Sequence, residues 1–181
     1  MNYLSIFLLG FMYASIPNLK AQTHTKYKIS PQKVILDDNL VTFLGSERIK
    51  VIQEADSVLV YGLNPDDNNK HSASELLEGF YISNKAQKIK EKDKQALQRQ
   101  IFQIQNYDSE GVHELCAFSP QIAFEFYQQQ QKLRLLLCFY CNELKFFDSK
   151  SKAIGKSFTK TSSDWKLLVN RIVNPNNKRR K

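Results

Sequence analysis

Apolar residues along the chain alternate between strand-like and helix-like spacing, and turn residues mark the changes. Ser57 to Leu63 is rich in β-branched and aromatic residues and ends at Asn64, Pro65, Asp66 and Asp67, a turn signal. Gly79 to Ser83 predicts a second short strand. Over 89–105 the spacing becomes helical, with Leu97, Ile101 and Ile104 on one face. The segment 106–111 breaks that helix. Ser46 and Ser163 can each cap a helix. The first would bury Ile49, Ile52 and Ala55; the second would bury Trp165, Leu168 and Ile172 and end at Asn174 and Pro175.

Between the last two helices lie two apolar runs around Gln128 to Gln131. Taking those glutamines as a hairpin tip places Tyr127 opposite Lys132, Phe126 opposite Leu133, Phe124 opposite Leu135, and Ile122 opposite Leu137. One face is then apolar. The other carries Gln121, Glu125, Tyr127, Arg134 and Tyr140. The expected fold is α+β: an antiparallel sheet of about four to five strands with this hairpin at its centre, packed by about three helices. The expected organisation is a signal peptide at 1–21, a lead-in at 22–45, one domain at 46–173 and a basic disordered tail at 174–181.

The signal-peptide reading rests on the apolar stretch Leu4 to Ala14. It has the length of a secretory apolar region and is too short to span a bilayer. Ala21 offers a small residue for cleavage before Gln22. No lysine or arginine precedes the apolar stretch, and Leu19 is bulkier than a cleavage site prefers. A later membrane span is not expected. The mature chain would be about 160 residues, enough for one domain with its own core.

The formal charge of +8 changes this picture little. The segment from Lys85 to Arg99 and the terminal Lys178, Arg179, Arg180 and Lys181 hold the basic excess. The first reads as a solvated helix face and the second as a free tail. Nucleic-acid binding would need basic residues interleaved with exposed aromatics on one platform, and none is visible.

All three cysteines lie in or beside the hairpin: Cys116, Cys138 and Cys141. If the second strand runs on regularly, Cys138 and Cys141 point to opposite faces, with Cys141 toward the core. Three readings stay open. A Cys116–Cys141 disulfide suits an exported protein, although the diagonal separation is near the limit for a bridge. All three could instead be small packed hydrophobes. Lastly, His113-x-x-Cys116 with Cys138-x-x-Cys141 has the spacing of a four-ligand zinc site. Phe139 and Tyr140 are poor turn residues for a zinc knuckle. A Cys-x-x-Cys redox pair normally sits at a helix N-terminus. No cofactor site is indicated, and no catalytic set assembles from His24, His71 and His113. Asp66, Asp67, Asn68 and Asn69 lack the glycine and distal glutamate of a calcium loop and read as a solvated turn.

The order of signals from Ala55 onward resembles a family of bacterial exported proteins and lipoproteins, common in Bacteroidota, without an assigned activity. The residues carrying it are Ala55 to Pro65, Leu77 to Phe80, Cys116 to Pro120, Phe124 to Tyr127 and Leu137 to Leu144. The resemblance implies a small exported domain and supplies no catalytic residues. The three cysteines belong to its pattern and His113 does not, so it favours a structural role for them. Together these readings point to an exported, periplasmic or secreted, non-enzymatic module. It would bind an envelope or extracellular protein or support the envelope. The alternative is a thiol-dependent or zinc-binding protein using the cysteine hairpin.

Overall fold

The computed structural model describes residues 36–67, 69–107, 116–150, 152–157 and 162–175. The expected signal peptide, most of the lead-in, His24, His113 and the end of the tail lie outside the described residues.

The helices are α1 (Asp38–Leu44), α2 (Ser46–Gln53), α3 (Glu91–Ile101) and α4 (Ser162–Val173). The strands are β1 (Ser57–Asn64), β2 (Leu76–Leu77), β3 (Phe80–Ile82), β4 (Gln87–Lys88), β5 (Ile122–Gln128), β6 (Gln131–Cys138), β7 (Glu143–Phe147) and β8 (Ala153–Ser157). They form one antiparallel sheet in the order β2-β3-β1-β5-β6-β7-β8, with β4 also paired to β1. Strands β3 and β4 share one edge of β1, pairing with its end and its middle respectively.

The expected fold needs correction. Among the described residues the sheet has eight strands rather than four to five, and there are four helices rather than three. The missed strands have physical reasons. β2 and β4 are two residues each, too short to show a period. β7 follows β6 without glycine or proline, so the two merge in sequence. The bend between them uses Asn142 at φ 53°, a residue that tolerates the left-handed region. β8 contains Gly155 and Lys156 at the sheet edge, where polar residues are expected. The missed helix, α1, falls in the expected lead-in and is capped by Asp37, whose side chain accepts from the Asn39 N–H. Its Leu40 and Leu44 are fully buried in the main core.

The central hairpin has the register that its alternation predicts, with Ile122, Phe124, Phe126 and Tyr127 opposite Leu137, Leu135, Leu133 and Lys132. Gln129 takes φ 52° at the tip. One face of β1, β5, β6 and β7 supplies Val58, Val60, Phe124, Phe126, Leu133, Leu135, Leu137, Leu144 and Phe146 to the main core. All four helices cover this face. Ile49 and Ile52 come from α2, Leu97 and Ile101 from α3, and Trp165 and Leu168 from α4. Among the described residues no helix is long and apolar enough to cross a membrane.

The opposite face holds a smaller cluster of Leu63, Leu77, Ala123 and Leu136. The β2–β3 hairpin and the strap 116–121 pack over it through Phe80 and Phe118, whose rings meet edge to face at 6.2 Å. The Lys145 ammonium lies 4.2 Å above the Phe118 ring.

Candidate functional site

β6 ends at Cys138, which pairs with Glu143 at the start of β7. The four residues from Phe139 to Asn142 make the turn between them. Alternation therefore stops at Cys138 and does not set the direction of Cys141. This corrects the expectation of a strand running through both cysteines. Phe139 and Tyr140, poor turn formers by type, occupy the turn because their surroundings suit them. Phe139 packs on the main core, and Tyr140 stands out into solvent at 83% exposure.

The strap runs beside this turn. Cys116 and Cys141 stand at disulfide distance, with sulfurs 1.99 Å and Cα atoms 5.8 Å apart. Gln121 ties the same two segments together. Its side-chain amide donates to the Ser119 carbonyl, and its Oε1 accepts from the Phe139 N–H at 2.8 Å. Cys138 is a fully buried free thiol. Its sulfur accepts from the Cys141 backbone N–H at 3.3 Å. Thus Cys116 and Cys141 are brought together, Cys138 lies against the same turn, and His113 is outside the described residues. Among the described residues, no group of three His, Cys, Asp or Glu side chains is placed to hold a metal ion.

Further along β5 and β6, on the same face as Cys138, is a charged network that the sequence reading did not single out. Glu125 is 3% exposed. It accepts from Tyr61 Oη at 2.8 Å, from Tyr127 Oη, and from Arg134 Nε at 2.9 Å. The Lys132 ammonium lies 3.3 Å away. Arg134 also pairs through its Nη1 with Glu78 at the tip of the β2–β3 hairpin. Burial pushes the Glu125 carboxyl up, but the hydrogen bonds from Tyr127, Tyr61 and Arg134 and the charge of Lys132 outweigh it. The result is a carboxyl below its ordinary range. Burial and the Glu125 carboxylate both push the Tyr61 hydroxyl up. Each partner is satisfied by another, so the network locks the β2–β3 hairpin over the sheet. The signal that could have found it was the placement of Glu125 and Arg134 on the same non-core face of a two-stranded register.

His71 stacks on Tyr81 with ring centres 3.9 Å apart, and its Nε2 lies 3.0 Å from Asp67 Oδ1. The Asp67 carboxylate also accepts from Asn69. The acidic loop is thus tied down by its own side chains.

Comparison with protein-family models, with curated proteins and with solved structures finds no match to this chain.

Proposed function

We propose that this chain is an exported, non-enzymatic binding module that engages an envelope or extracellular protein through the turn Phe139–Asn142. The observation that carries this reading is Tyr140. A large aromatic side chain stands 83% exposed on a turn whose next residue is bridged to the strap. Aromatic side chains are favoured anchors at interfaces, and an anchor held in place before binding loses little entropy on docking. Export is supported by the apolar leader within 1–21, by the resemblance to exported proteins, and by a cysteine pair suited to an oxidising compartment.

A site-specific photocrosslinker tests this. Benzoylphenylalanine at position 140 of the full chain, in the envelope of the expressing cell, should give a discrete protein adduct. The same probe at Lys50, on the exposed side of α2, should not. No adduct at 140, or the same adducts at both positions, would reject the reading.

The thiol-dependent alternative is favoured by one observation, the placement of free Cys138 against the bridged Cys141. A zinc site, in contrast, would need the Cys116 and Cys141 sulfurs as thiolates, which a disulfide does not supply.

A further inference from the structure

We propose that Cys138 and the Cys116–Cys141 bridge form an internal thiol–disulfide exchange set, which releases Cys116 and unlatches the strap 116–121. The inference rests on that bridge being formed. Exchange requires a thiolate, a disulfide sulfur it can reach, and a sulfur able to leave. The structure places a free thiol, a disulfide and a partly exposed third sulfur in one corner. Cys138 is the only free cysteine of the chain, and its sulfur sits 3.3 Å from the backbone nitrogen of Cys141. Cys138 closes β6 and Cys141 lies three residues on, in the turn that follows. Complete burial shuts Cys138 away from external thiols and oxidants, while the backbone N–H of Cys141 lies against its sulfur. Cys116, the leaving residue, is partly exposed.

The step is redox-neutral. The Cys138 thiolate attacks Cys141 Sγ, a Cys138–Cys141 bond forms, and the Cys116–Cys141 bond breaks. Cys116 leaves with the electron pair and takes up the proton that Cys138 gave up. No outside oxidant or reductant is consumed. The strap then loses its covalent tie to the turn. It keeps the Phe118 contacts and the Gln121 clamp, which are non-covalent and reversible. The exchange therefore moves a reactive thiol from the interior to the surface and loosens the cover over Leu136 and Ala123.

The test uses the full-length folded protein at a pH near the ordinary thiol pKa. It is incubated with N-ethylmaleimide, quenched in acid and mapped by mass spectrometry without reduction. The expected product carries maleimide on Cys116 together with a Cys138–Cys141 disulfide. In Cys138→Ser, labelling of Cys116 should fall about tenfold or more; circular dichroism checks that this variant folds. Maleimide on Cys138 with the Cys116–Cys141 bridge intact overturns the exchange and leaves the bridge standing. So does an absence of label under conditions that fully label the unfolded protein. Label on all three cysteines removes the bridge itself, and with it the reading on which the exchange rests. The wild-type map decides the matter even if the serine variant does not fold.

Discussion

Glu125 and Arg134 face each other directly across the central hairpin, with Arg134 Nε donating to Glu125 Oε1 at 2.9 Å. Arg134 then reaches Glu78, so one guanidinium joins the sheet to the β2–β3 hairpin. Replacing Glu125 by glutamine removes the charge that holds Arg134, Lys132 and two tyrosines. Glu125→Gln is expected to lower stability by about 1.5–3 kcal/mol, the range for hydrogen bonds to charged groups. Urea unfolding of both proteins would measure it. An unchanged midpoint would contradict a central role for the network.

The same carboxylate sets an acid limit. Its pKa is depressed in the folded state, so its contribution is fully present above the unfolded value of about 4.3 and fades as pH falls through the folded one. Stability should decline with acid below the ordinary glutamate range, and the slope should be shallower in Glu125→Gln. Thermal melting across that range would show it. Parallel curves would assign the acid response to other carboxylates.

Gly45 closes α1 and opens α2 at φ 77° and ψ 151°, a backbone region almost confined to glycine. The space for a Cβ is open, with only the Arg48 side chain at 3.9 Å. The penalty for Gly45→Ala is therefore backbone strain, about 1–3 kcal/mol. A loss of that size without change in the overall circular dichroism would support it. A neutral substitution would mean that the two helices can rejoin differently.

Trp165 is the single tryptophan of the chain and is fully buried on α4. Its fluorescence should shift to longer wavelength as the sheet and helices separate. Trp165→Phe should cost less than Trp165→Ala, for which about 3–5 kcal/mol is expected. Equal losses would indicate that burial of ring area is not what holds α4.

The hairpin was legible because its alternation was long and both faces differed, with phenylalanines and leucines on one side and Glu125, Arg134 and Tyr127 on the other. α3 was legible through Leu97 and Ile101 for the same reason. The β6–β7 turn was not legible, because it is made by Phe139 and Tyr140 and depends on the core beneath Phe139 and on Asn142 in the left-handed region. That turn decides the fate of the cysteines. Once it ends the strand at Cys138, the strict alternation argument for Cys141 no longer applies. The short β2 and β4 depend on pairing with β3 and β1, which no local pattern announces.

The bridge closes a segment with a sequence separation of 25 residues. Its reduction should lower stability by roughly 3–4 kcal/mol through the entropy gained by the unfolded chain. Denaturant unfolding with and without reductant would read this, and superimposable curves would show that the tie is not made in solution.

The most direct measurement is the thiol state of the protein as it leaves the cell. The chain is trapped in acid on isolation from an oxidising compartment, digested without reduction and mapped by mass spectrometry. The expected map shows a peptide pair joined through Cys116 and Cys141, with Cys138 as the thiol. Three free thiols would contradict the stapled turn and, with it, the rigid presentation of Tyr140.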